Sequence, residues 1–92
     1  DILKYVGNHK NRPKLVIGFA AESENLEDYA RDKLKSKNCD YIIANNIKNG
    51  EIFDNNQSEA MIITKDSTDN VGEISKKDLA NKIVDLLVLN YS

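Results

Sequence analysis

One cysteine, Cys39, occurs among the 92 residues, so no intramolecular disulfide and no cysteine-only zinc site can form. Such cysteine usage fits a reducing compartment, and a cytoplasmic location is the expectation. The single histidine, His9, has no second imidazole to join it in a metal centre or a nucleophile–histidine relay. Its neighbours in "NHKNRP" are polar and read as a solvated loop. The four glycines, Gly7, Gly18, Gly50 and Gly72, are scattered, which excludes a Walker loop and a GxGxxG turn. No apolar run reaches membrane-spanning length and no signal peptide is visible, so no membrane partner is expected. The formal charge of −2 leaves no basic face to drive counterion release, and no nucleic-acid partner is expected. The residues offer no self-sufficient catalytic set and no metal-ligand set.

What is present is the pattern of an α/β domain. Residues 1–92 read as one unit without an internal boundary, small enough for a single core. The chain opens on helix-like spacing without an initiator methionine, and is expected to be a C-terminal piece of a longer protein. A helix from Asp1 to Asn8 is stopped by Pro13 and the asparagines before it. "KLVIGFA", Lys14 to Ala20, is an uninterrupted apolar run of strand length, as in a sheet buried on both faces. A helix from Glu24 to Ser36 follows, capped by Ser23, with Leu26, Ala30 and Leu34 on one face. "CDYIIAN", Cys39 to Asn45, is a second buried strand, which completes a βαβ unit. The polar "NIKNGEIFDNNQS" is long for a connection. "EAMIITK", Glu59 to Lys65, is a third strand, and "DSTDNVG" reads as a turn. A last helix runs from Ser75 to Asn90, with Leu79, Ile83, Leu86 and Leu87 inward and Val84 and Val88 widening that face. The expected architecture is a Rossmann-like three-layer sandwich with a mainly parallel sheet, of which this chain is the C-terminal part.

In "IGFAAESEN", residues 17–25, a buried strand ends in small residues around one aromatic, directly before an acidic helix start. In open α/β sheets, ligands bind beyond the carboxyl ends of parallel strands. Gly18, Ala20 and Ala21 could let a ligand approach the backbone, and Phe19 could lie against a flat base. Equally, Gly18 and Ala20 could serve only close helix packing and Phe19 only core filling. Cys39, at a strand start, reads as a small core hydrophobe. Lys33 and Lys37 share a helix face at spacing four, near a helix end that favours cations without any ligand.

The joint spacing of several motifs resembles phosphopantothenate–cysteine ligase, commonly the second half of a bifunctional coenzyme A biosynthesis flavoprotein. The family pattern Gly-Phe-Ala-Ala-Glu-Thr appears as Gly18 to Glu22 with Ser23 for Thr. Tyr-Ala-Arg appears as Tyr29 to Arg31, and Lys-x-x-x-Lys-Asn-x-Asp as Lys33, Lys37, Asn38 and Asp40. Ala44 and Asn45 match Ala-Asn-Asp up to its acid, which is Asn46 here, and Asp1-Ile2-Leu3 is similar to the end of a Pro-Asp-Ile-Leu segment. Downstream, Ile52-Phe53, Asn56 and Ser58 stand in a stretch where the family carries a further acid and amide.

The resemblance implies activation of 4′-phosphopantothenate by CTP as an acyl-cytidylate, attack by cysteine, and release of CMP, with Mg2+ accompanying the triphosphate. It implies that Asp1, Ile2, Leu3, Phe19, Lys33 and Lys37 line the nucleotide site, while Lys35 is plain surface. The family's catalytic lysine loop and its phosphopantothenate contacts are not in this sequence, so the chain alone is expected to be inactive. FMN would belong to a decarboxylase domain outside this sequence. A homodimer or higher oligomer is implied, with the Asn-rich loop and the strand 59–65 as the expected contact. The alternative is a non-catalytic nucleotide-binding or oligomerisation module that keeps only the fold.

Overall fold

The computed structural model describes residues 1–47 and 57–91. Seven elements follow one another: α1 (Ile2–Asn8), β1 (Ile17–Glu22), α2 (Leu26–Lys37), β2 (Tyr41–Asn46), β3 (Gln57–Ile63), β4 (Thr68–Ser75) and α3 (Lys76–Tyr91). The strands form one sheet in the order β1-β2-β3-β4. The βαβ unit is as expected: β1 and β2 are parallel, in register from Ile17 opposite Tyr41 to Glu22 opposite Asn46. The mainly parallel sheet is corrected to a mixed one, because β3 runs antiparallel to both β2 and β4.

β4 is the element the sequence concealed. Only the residues before Thr68 in "DSTDNVG" turn; the rest is strand. A connection this short can join only antiparallel strands, since a parallel pair needs a long crossover. β4 is an edge strand with one buried side chain, Ile74, so it shows no apolar run. Its register with β3 shifts at Ala60/Met61, where Gly72 adopts a φ of +70° opposite Ala60. That is the left-handed conformation a bulge commonly assigns to glycine.

Alternation along the strands builds two cores. Val16, Ala20, Ile42, Ala44 and Ile63 point to one face and meet Leu26, Ala30 and Leu34 of α2, with Leu3 and Val6 of α1 packed beside them. Ile43, Ala60, Ile62 and Ile74 point to the other face and meet Leu79, Ile83 and Leu86 of α3. Helices therefore cover both faces, which gives the three-layer α/β architecture anticipated from the sequence. Val84 and Val88 do not widen the inner face of α3; they are 52% and 60% exposed, because the sheet reaches only one side of the helix.

Caps fix the helix ends that matter for the site. Asp1 Oδ1 accepts from the N–H groups of Leu3 at 3.0 Å and Lys4 at 3.4 Å, closing the start of α1. α2 is not capped by Ser23. Its N-cap is Asn25, left-handed at φ 52°, with no side-chain cap bond. The three-residue turn after β1 needs one left-handed residue, and asparagine tolerates that conformation better than serine. Asn38 ends α2 in the same conformation, its N–H reaching the carbonyls of Leu34 and Lys35. Ser75 caps the start of α3: the Asp78 N–H donates to Ser75 Oγ at 3.0 Å.

Candidate functional site

The two glycines of the N-terminal half draw α1 onto α2 and β1. A Cβ on Gly7 would stand 2.0 Å from the Lys37 carbonyl oxygen, and Asn38 Nδ2 donates to the Gly7 carbonyl at 2.7 Å. A Cβ on Gly18 would meet Ile42 at 2.8 Å and Leu3 at 2.9 Å. The small residues of "IGFAAE" thus divide by face. Gly18 and Ala20 are buried beneath the helices, so their smallness serves helix packing. Phe19, on the opposite face, is 56% exposed.

The contact of α1 with α2 leaves an open groove of about 550 Å³ lined by Asp1, Leu3, Tyr29, Asp32, Lys33, Ser36 and Lys37. Four of the six candidate residues, Asp1, Leu3, Lys33 and Lys37, meet there although the two sets stand thirty positions or more apart. Lys37 Nζ forms an ion pair with Asp1 Oδ2. Lys33 Nζ donates to the carbonyl oxygen of Phe19 at 2.5 Å, reaching from α2 to the outer edge of β1. Phe19 therefore touches the groove through its backbone rather than its ring. Ile2 is 84% exposed and does not line it, nor does Lys35, which points to solvent.

Electrostatics decide which opening suits an anion. Beside the groove, a second opening of about 590 Å³ surrounds the start of α2 and is lined by Glu22, Glu24, Asp28 and Asp32, with Ser23, Asn25 and Tyr29. Four carboxylates there outweigh the attraction of a helix N-terminus, whose effective charge is about half a unit. The strand-end turn is thus unsuited to a phosphate on its own, whereas the groove sets two ammonium groups, Lys33 and Lys37, against the Asp1 and Asp32 carboxylates.

The remaining motif residues hold the frame. Ala30 and Ala44 are fully buried. Asp40 Oδ2 accepts from Arg12 Nη2 at 2.7 Å and from the Val16 N–H at 2.9 Å, pinning the start of β2 to the chain entering β1. Arg31 donates to the carbonyls of Thr64 and Ser67 and to Thr68 Oγ1 at 2.6 Å, clamping the β3–β4 turn to α2. In Tyr-Ala-Arg, then, Tyr29 faces the groove, Ala30 the core and Arg31 the hairpin. Sequence reading singled out neither Tyr29 nor Asp32 as a groove residue. For Tyr29 the signal was its position four residues before Lys33, on the same helical face, whereas Asp32, one residue before Lys33 and five before Lys37, gave no such signal.

Asn46, the residue in place of the family's acid, donates through Nδ2 to Glu59 Oε1 across the β2–β3 pair at 3.4 Å. An aspartate there would face a second carboxylate. Asn45 Oδ1 is buried without a hydrogen-bond partner among the described residues. Cys39 is buried, and its thiol is pushed up by that burial first and by the neighbouring Asp40 carboxylate second, which keeps it protonated and poorly nucleophilic. Ile52, Phe53 and Asn56 lie outside the described residues. Ser58 belongs to β3, opposite Ile74. That strand is paired on both sides, so it has no free edge for a partner.

Residues 1–90 match the family described as DNA/pantothenate metabolism flavoprotein C-terminal domain. The Coenzyme A biosynthesis bifunctional protein CoaBC of Haemophilus influenzae is 35% identical over 91 residues, covering 99% of this chain and 23% of its own length. CoaBC of Borreliella burgdorferi is 40% identical over 88 residues, covering 95% and 22%. The crystal structure of the C-terminal domain of a CoaBC superposes with a TM-score of 0.75 at 34% identity, over 95% of this chain and 39% of that one. A DNA/pantothenate metabolism flavoprotein from Streptococcus pneumoniae shares the fold, with a TM-score of 0.77 at 23% identity, over 41% of its chain. The chain spans under a quarter of the length of these curated relatives. It belongs to the DNA/pantothenate metabolism flavoprotein C-terminal domain family, whose matching members here are CoaBC enzymes of coenzyme A biosynthesis.

Proposed function

We propose that this chain forms part of a phosphopantothenate–cysteine ligase and that its α1–α2 groove holds the nucleotide, CTP. The observation that carries the reading is the convergence of Asp1 and Leu3 with Lys33 and Lys37 in one groove, on residues the family pattern placed separately. Lys33 and Lys37 supply point charges for the phosphates, and Leu3 and Tyr29 offer apolar and flat surface for the nucleoside. Lys33, already on the Phe19 carbonyl, fixes the groove against the middle of β1, so Phe19 marks where a nucleotide would cross that strand.

In this reaction the 4′-phosphopantothenate carboxylate attacks the α-phosphate of CTP, forming the acyl-cytidylate and releasing pyrophosphate. The cysteine amine then attacks the acyl carbon, forming the amide and releasing CMP. The groove residues bind and orient, and the residues that do the chemistry lie elsewhere in the ligase. Among the described residues no three His, Cys, Asp or Glu side chains gather to hold a metal ion. Magnesium carried on phosphates needs only one or two protein carboxylates, and Asp32 fits that role, since Asp1 is engaged by Lys37. When bound, the ion would offset phosphate charge.

A homodimer is proposed for the complete ligase. The Asn-rich part of its expected contact lies outside the described residues. The test is CMP release with CTP, 4′-phosphopantothenate and cysteine. A ligase containing this sequence is expected to release CMP and the 92-residue chain alone to release none. Inactivity of the ligase with intact nucleotide binding would favour the non-catalytic module instead.

A further inference from the structure

The two lysines of the α1–α2 groove are held in different ways. Lys33 Nζ donates to a neutral acceptor, the Phe19 carbonyl, and forms no ion pair among the described residues. Its charge therefore stands ready for an anion. Lys37 Nζ is already paired with a full charge, the Asp1 carboxylate. That carboxylate cannot swing aside, because its other oxygen is tied down. Asp1 Oδ1 accepts from the N–H groups of Leu3 and Lys4 and caps α1. The paired side chains are 24% exposed at Lys37 and 43% at Asp1, so water screens them only in part.

A phosphate that reaches Lys37 must take it from Asp1. One charge-assisted contact is gained, another is given up, and the capped carboxylate is left facing the phosphates. Against this stands one benefit: Asp1 holds the long Lys37 side chain in the groove before any ligand arrives, which spares rotamer freedom. Repulsion decides the sign. Every phosphate carries at least one charge, and like charges interact several times more strongly at a partly buried site than in bulk water.

We infer that Asp1 is a positioning residue that acts through Lys37 as the resident counter-anion of the groove. It holds the ammonium while the groove is empty, yields it to a polyphosphate, and reclaims it as pyrophosphate departs. Lys33 is the standing charge and Lys37 the exchangeable one. The inference rests on the reading of this groove as the nucleotide site. It gives the Asp1 side chain an effect opposite to that of a nucleotide ligand, since its charge weakens binding and favours release.

Asparagine and serine keep the N-cap and lack the charge, so Asp1→Asn and Asp1→Ser separate the ion pair from the fold. Both are expected to leave the urea midpoint close to the parent's. Calorimetry then reads CTP affinity in a ligase containing this sequence, without magnesium, because a metal ion would itself offset the freed carboxylate. Both variants are expected to bind CTP about 10-fold more tightly than the parent, and inorganic pyrophosphate to gain alike. In a Lys37→Ala background there is no ammonium to give up, so the gain is expected to fall to about threefold, that of a bare negative charge. An absent gain would overturn the inference, and so would an equal gain with and without Lys37. Weaker binding would overturn it too and make Asp1 a direct nucleotide ligand. Each of these results leaves the nucleotide reading standing if Lys33→Ala weakens CTP binding. No CTP binding in parent or variants, with or without magnesium, would overturn that reading and the inference together.

Discussion

Replacing Gly7 with alanine sets two effects of opposite sign against each other. Within an isolated helix the change favours folding by about 1 kcal/mol, because glycine loses more backbone freedom than alanine. In this fold the new methyl would stand 2.0 Å from the Lys37 carbonyl oxygen, where ordinary contact begins at 3.4 Å. Backbone lies on both sides, so α1 must lift from α2 by more than an ångström. That separation breaks the Asn38–Gly7 hydrogen bond, worth about 1 kcal/mol. It loosens the half-exposed Asp1–Lys37 pair, worth about 0.5 kcal/mol. It also withdraws Leu3 from its contact over Gly18, worth about 1.5 kcal/mol for a partly buried leucine. The losses outweigh the gain by about 2 kcal/mol, which for a domain of this size lowers the melting temperature by roughly 10 °C. Urea and thermal unfolding followed by circular dichroism measure this directly, and faster amide exchange across α1 would localise it. A Gly7→Ala protein more stable than the parent would refute the close docking of α1, and with it the groove.

Arg31→Ala is expected to destabilise the fold by about 1–3 kcal/mol, since three acceptors of the β3–β4 turn lose their donor together. Arg31→Lys should recover little of this, because one ammonium cannot span the fork; equal unfolding midpoints for Arg31→Lys and the parent would contradict the clamp. Cys39 gives a pH signature. The folded thiol holds its proton to higher pH than the unfolded one, so the folded state binds more protons in the alkaline window. Stability is undiminished below the ordinary thiol pKa and declines as pH rises above it. Cys39→Ala should remove that part of the decline, and an identical alkaline profile in both proteins would contradict it. At neutral pH, native Cys39 should react with a thiol reagent far more slowly than after unfolding.

Where burial dictates the pattern, the fold was readable from residues alone. β2 is covered on both faces and so appears as an apolar run, β1 appears as one although Phe19 and Ala21 on its second face are exposed, and α2 repeats its apolar residues every four positions. β4 escaped because an edge strand with one buried side chain has neither signal, and its glycine and asparagines mimic a turn. α3 was misjudged differently: its apolar residues occupy two flanks, and periodicity cannot say which one the sheet will reach. At the candidate site, the sequence showed that Lys33 and Lys37 share a helical face. It could not show that α1 returns to that face, because this depends on Gly7 meeting a carbonyl thirty residues away. The smallness of Gly18 and Ala20 carried no ligand information, since helix packing alone requires it.

Calorimetric titration of CTP with magnesium into a ligase containing this sequence tests the central claim most directly, with Lys33→Ala and Lys37→Ala beside a Lys35→Ala control. Lys35 lies on the same helix and carries the same charge but does not line the groove. A charge-assisted phosphate contact is worth about 1.5–3 kcal/mol, so each groove variant should lose roughly 10- to 100-fold in CTP affinity while Lys35→Ala loses little. Equal affinities across all three variants and the parent would contradict the assignment of the α1–α2 groove to the nucleotide.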